Sequence, residues 1–81
     1  MKYTTVYRLR SIKDPGQIYT GLTDNLAVRL KKHNEGGVPS TAPFKPWELE
    51  SAHAFTSRET AAAFERYLKT GSGREFARRH F

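Results

Sequence analysis

Residues 13–16, Lys-Asp-Pro-Gly, stand between two runs rich in β-branched and aromatic residues, and this commits the start of the chain to a β-hairpin. Pro15 presets φ, and Gly16 offers the positive φ that a tight turn uses. The predicted strands cover residues 3–10 and 17–21. Because side chains alternate along a strand, Tyr19 and Gly21 face one way and Ile18 and Thr20 the other.

The pattern then changes period. Thr23 is a suitable N-cap, Asp24 follows it, and a helix is predicted to Asn34 with Leu26 and Leu30 as its packed stripe. Gly36-Gly37 ends that helix. Residues 38–46 hold three of the four prolines and read as an irregular loop. Residues 47–55 alternate, Trp47, Leu49, Ser51, His53 and Phe55 against Glu48, Glu50, Ala52 and Ala54, which predicts a third strand. Ser57 caps a second helix over residues 58–69, with Ala61, Phe64 and Leu68 buried and Gly71 as its stop. Ser72 and Glu75 form a capping box that opens a short basic helix to the end of the chain. The order is ββαβαα: an α/β (α+β) fold with a three-stranded antiparallel sheet flanked by helices, one domain over residues 1–81. A chain of 81 residues buries a modest core, so a site is expected on the surface of the sheet rather than in a deep pocket.

Charge narrows the function. There are 14 Lys and Arg against 8 Asp and Glu, a net charge of +6. That excess on a small body attracts polyanions, of which nucleic acid is the commonest. With no cysteine there is no disulfide, no thiolate zinc site and no thiol nucleophile. No apolar run reaches the length of a membrane span, so no membrane partner is expected. The N-terminal residues lack the apolar core of a signal peptide, which predicts a cytoplasmic protein.

A set of short segments, in order, resembles one family. Thr5-Val6-Tyr7 and Tyr19-Thr20-Gly21 resemble the two halves of the GIY-YIG motif. The helix from Asp24 to Asn34 is similar to that family's helix with an Arg followed one turn on by His or Tyr, here Arg29 and His33. Ser40-Thr41 and Pro46-Trp47-Glu48-Leu49 resemble the loop and third strand of the small stand-alone bacterial members, and the run from Glu65 to Phe76 resembles their ending. Each piece alone is unspecific; the set covers nearly the whole chain. The resemblance implies a GIY-YIG nuclease fold and a metal-dependent endonuclease that hydrolyses phosphodiester bonds in DNA, structure-selective and serving DNA repair or processing. Many active members carry an Asn after the metal-binding Glu, at the position occupied here by Ala77.

The resemblance also implies roles. Glu65 would be the carboxylate ligand of one divalent ion, Mg²⁺ or Mn²⁺, since such an ion keeps most of its waters and needs few protein ligands. Tyr7 and Tyr19 would flank it, one acting as base or orienting the attacking water. Arg29 would hold the scissile phosphate by a two-pronged hydrogen bond, and His33 would relay a proton. Gly21 would leave room for the phosphate backbone or ease the exit from its strand. Lys31, Lys32, Lys45, Lys69 and Arg74 would make further backbone contacts, as would Arg78 and Arg79. DNA is the expected partner ahead of RNA, with a protein partner or a homodimer supplying targeting.

Plainer readings stand beside these. Tyr7 and Tyr19 suit strands and pair across a hairpin; Glu65 and Lys69 make an ordinary i,i+4 pair; Arg29 and His33 complement a helix C-terminus. Two further functions follow from them: a nucleic-acid-binding module that has lost catalysis, and a protein-interaction domain whose charge is incidental.

Overall fold

A computed structural model describes residues 2–81. The order is β1 Thr4–Ser11, β2 Ile18–Thr23, α1 Leu26–Asn34, a 3-10 turn Ala42–Phe44, β3 Trp47–Phe55, α2 Arg58–Leu68 and α3 Gly71–His80. It is the predicted ββαβαα. The sheet runs β2-β1-β3, with both neighbours antiparallel to the central strand.

The central strand separates two cores. On one face Val6 packs with Ala61 and Leu68 of α2 and Ala77 of α3, inside a ring of partly buried apolar residues that includes Phe55, Phe64 and Phe76. On the other face Tyr7, Leu9 and Trp47 pack with Tyr19, Leu26, Leu30 and Phe44. Period-two alternation along β1 therefore sends Val6 to one helical layer and Tyr7 to the other. Trp47 is only 4% exposed, which makes it a core residue and not a stacking platform.

Several local expectations are corrected. The alternation in β3 does not run through. The pairing shifts between Arg8↔Ser51 and Leu9↔Leu49, which leaves Glu50 as an extra, bulged residue. Trp47 and Leu49 thus face α1, whereas Ser51, His53 and Phe55 face α2. The bulge places Glu50 against two cations, Arg8 and Arg10, each at 2.9 Å. In the hairpin turn Gln17 N–H donates to the Asp14 carbonyl at 2.8 Å, but φ is positive only at Gly36 among the described residues, so Gly16 does not use its freedom.

Two caps also move. Thr23 completes β2, and the N-cap of α1 is Asn25, whose side chain accepts Val28 N–H at 3.2 Å. The N-cap of α3 is Thr70, which accepts Gly73 N–H at 3.1 Å. Ser72 and Gly71 therefore lie within α3, and Glu75 binds Arg78 and Arg79 instead of closing a capping box. Ser57 caps α2 as expected.

Candidate active site

The sheet face beneath α1 gathers four of the expected residues. Tyr7 pairs with Gly21 and Leu9 with Tyr19, so both tyrosine side chains leave the same face, with ring centroids 6.1 Å apart. Helical spacing sets Arg29 and His33 one turn apart on α1. The His33 ring lies 4.7 Å from that of Tyr19 and 5.9 Å from that of Tyr7. Tyr7 hydroxyl and His33 Nε2 are hydrogen-bonded at 3.0 Å. On its other side, His33 Nδ1 meets Thr41 Oγ1 at 2.8 Å.

This site is deeper than a sheet surface. Tyr7 and His33 are both 0% exposed, while Tyr19 and Arg29 are half-buried and reach the surface. Gly21 makes the depth possible, and the strand exit is not the reason for it. It lies inside β2 and not at its exit. A Cβ there would stand 2.6 Å from the Tyr7 ring and hydroxyl and 2.8 Å from Tyr19. The missing side chain makes room for the two tyrosines.

Burial and charge set the protonation states. Burial pushes the Tyr7 phenol upward, against the pull of the adjacent Arg29, so it holds its proton at neutral pH. Burial first, then Arg29 and Lys32, holds His33 below its ordinary value of 6.5, so its ring is neutral. Arg29 forms no ion pair among the described residues, and its Nε is buried without a partner. A permanent cation beside two phenols, with no carboxylate to neutralise it, suits an anion as its partner.

A stability prediction follows from the sign of the His33 shift. The unfolded chain takes up a proton near 6.5 that the folded site resists, so stability is fully present above that value and is lost as pH falls through the lower folded value. Urea midpoints at pH 7.5 and 5.5 should therefore diverge in the wild type and diverge less in His33→Gln. Equal divergence in both proteins would remove His33 as the cause.

Glu65 is not brought into this cluster. It lies on α2, on the stripe of Ala61 and Leu68, and its carboxylate pairs with Lys69 Nζ at 2.8 Å. It makes no hydrogen bond to either tyrosine, and no group of three or more His, Asp or Glu is arranged to hold a metal among the described residues. A lone carboxylate with part of its surface open to solvent still suits a hard cation that keeps its waters and takes further oxygens from a phosphate. A cavity of about 570 Å³ opens beside Tyr19. It is lined by Tyr19 and Thr20 of the edge strand and by Leu68, Lys69 and Arg74 at the junction of α2 and α3.

The remaining basic residues divide in two. Lys31, Lys32, Lys45 and Arg74 form no ion pair among the described residues, whereas Lys69 is tied to Glu65, and Arg78 and Arg79 to Glu75. Ala77 is wholly buried against α2, so that position contributes nothing to the site. Sequence reasoning did not assign Thr41 to the site. It is 2% exposed in a proline-rich loop, where composition predicts only irregular backbone.

A family model described as the GIY-YIG catalytic domain matches residues 3–79. Among curated proteins, the chain is 42% identical over 65 residues to the structure-specific endonuclease subunit slx1 of Talaromyces marneffei, covering 73% of this chain and 17% of that protein. It is 38% identical over 71 residues to the SLX1 subunit of Debaryomyces hansenii, covering 79% of this chain and 20% of that protein. A UPF0213 protein of Bacillus licheniformis is 38% identical over 55 residues, 67% of this chain and 57% of the relative. The chain thus spans a fifth or less of the two fungal proteins.

Proposed function

The chain belongs to the GIY-YIG family, and from that premise we propose that it is an endonuclease that hydrolyses phosphodiester bonds in DNA, using one divalent ion. The observation that carries the reading is the convergence of Tyr7, Tyr19, His33 and an unpaired Arg29 on one sheet face. Structural residues have no need to gather an unneutralised guanidinium and two phenols around a buried neutral imidazole. The fungal relatives are named as structure-specific endonuclease subunits, which supports a substrate chosen by nucleic-acid shape and a protein partner that helps to target it. A role in DNA repair is part of the same proposal. No helix among the described residues offers itself as a major-groove reader, so binding is weak, salt-sensitive and indifferent to sequence.

The residues divide the work by depth. Arg29 and Tyr19 reach the surface and meet the phosphate first. Arg29 takes two phosphate oxygens through its guanidinium fork, and a shift of that side chain toward them would open the buried Tyr7 oxygen to water. Tyr19 orients a water. That water passes a proton to the Tyr7 oxygen while the Tyr7 proton moves to His33 Nε2, 3.0 Å away. The water's O–H bond breaks, its oxygen bonds to phosphorus, the far P–O bond breaks, and the leaving oxygen is protonated from solvent. Glu65 would hold Mg²⁺ or Mn²⁺, which supplies positive charge to the phosphate when bound. Lys31, Lys32, Lys45 and Arg74 add sequence-independent backbone contacts.

Glu65→Ala is the first test. Wild-type protein with Mg²⁺ or Mn²⁺ should cut fluorescent branched or single-stranded DNA, and the variant should not. Removing Glu65 frees Lys69, so DNA binding by the variant should hold or tighten at low salt. Equal cutting by both proteins would remove Glu65 as the ligand. A second reading, a binding module without catalysis, is favoured by one observation: the position where active members carry Asn is the buried Ala77. Binding without cutting in every metal would establish it.

A further inference from the structure

We propose that Thr41 is a positioning residue that fixes the tautomer of His33, so that Nδ1 carries the ring proton and Nε2 is left open to accept the proton of Tyr7. The inference rests on the nuclease reading for its use, but its geometry is independent of it.

The argument is a count of protons. Thr41 Oγ1 lies 3.2 Å from the Val38 carbonyl oxygen and 2.8 Å from His33 Nδ1. The carbonyl can only accept, so the one hydrogen bond these two oxygens can make is a donation from the Thr41 hydroxyl, in a site 2% exposed. A hydroxyl has one hydrogen, and it goes to Val38. The Thr41 oxygen then faces His33 with lone pairs alone, so Nδ1 must be the N–H donor. The neutral ring has no second N–H, so Nε2 carries a lone pair. Tyr7, 3.0 Å away, must donate to it. The chain of donors therefore runs one way: Tyr7 O–H to His33 Nε2, His33 Nδ1–H to Thr41, and Thr41 O–H to Val38.

The backbone holds Thr41 in place for this task. Its N–H donates to the Val38 carbonyl at 3.1 Å, and its own carbonyl accepts the Trp47 indole N–H at 3.0 Å. Asn34, one residue beyond His33, binds the Trp47 backbone through both N–H and carbonyl. The loop is thus tied to α1 and to β3 at the position where its hydroxyl meets the imidazole. The reverse tautomer would set a His33 Nε2–H toward Tyr7, and the histidine could not then take the phenolic proton.

The test reads the ring nitrogens of His33 by ¹⁵N NMR on the full chain, without substrate. The wild type should show Nδ1 protonated and Nε2 bare. Thr41→Val should convert part or all of the signal to the Nε2–H form and slow cleavage by about 10–100-fold, the usual scale for losing an imidazole's orienting partner. Thr41→Ser keeps the hydroxyl and should restore both. An Nε2–H ring in the wild type overturns the proposal, and that spectrum decides even where Thr41→Val fails to fold. An unchanged tautomer in a folded Thr41→Val overturns it as well. A wild type with the expected tautomer that cuts no DNA sinks the nuclease reading and leaves the Thr41 assignment standing.

Discussion

On the proposed nuclease reading, Arg29→Ala should cut DNA about 10²–10³-fold more slowly than the wild type, the scale set by removing one preorganised donor from a site where charge develops. The variant should still fold. Arg29 has no carboxylate partner to be orphaned, its Nε is already without a partner, and its guanidinium lies at the rim of the site. A purely structural arginine would behave in the opposite way, losing stability with its packing. Arg29→Lys should fall between, since it restores the charge without the two-pronged geometry. The Ala variant also carries a signature away from catalysis. Arg29 is one of the charges that hold His33 low, so its removal should raise the His33 value and weaken the pH dependence of stability described above. Cleavage at the wild-type rate by Arg29→Ala would mean that the unpaired guanidinium is not the phosphate receptor.

The second large effect concerns stability. Gly73→Ala should lower the melting temperature by about 12–24 °C, from a cost of about 3 kcal/mol at the upper end of ordinary overpacking. Gly73 is buried where α3 crosses the end of α2, and a Cβ there would run into the Tyr67 carbonyl and stand 2.7 Å from Leu68 Cα. These neighbours are backbone atoms of a capped helix turn, so no side chain can swing aside. A domain of this size has roughly 4–12 kcal/mol in all, so the loss is a large share of the total. Gly71→Ala is the built-in control. It starts the same helix, a Cβ there meets nothing within 4 Å, and Ala is the better helix former. It should melt at or slightly above the wild type. Identical melting of the Gly73 and Gly71 variants would show that α2 and α3 separate easily. The buried cluster of Val6, Ala61, Leu68 and Ala77 would then be looser than its packing indicates.

Much of this protein is legible in its residues in order. The hairpin follows from two β-rich runs around Asp14-Pro15-Gly16, the helices from apolar stripes such as Ala61, Phe64 and Leu68, and the element order from those local signals together. Tyr7, Tyr19, Arg29 and His33 could be named because alternation in strands and one-turn spacing in helices are local rules, and the family pattern supplied the rest. Caps were misplaced by two residues at both Thr23 and Ser72, because Thr, Asn and Ser are nearly equivalent as caps and the competition among neighbours is settled by packing.

What tertiary structure alone decided is everything that depends on groups distant in the chain meeting. The bulge at Glu50 reverses the phase of β3 and sends Trp47 to one core and Phe55 to the other, an effect of register with β1 that no period in β3 reveals. The depth of the site comes from Gly21 lying under two rings carried by different strands. Glu65 is set on the far helix, paired with Lys69, and not among the tyrosines. Thr41 enters the site from a loop with no periodic signal, because Trp47 and Val38 hold it there. Local rules act over a few residues. The direction of the proton chain from Tyr7 to Val38 depends on contacts made across 26 residues of sequence, and only folding brings those atoms within hydrogen-bond distance.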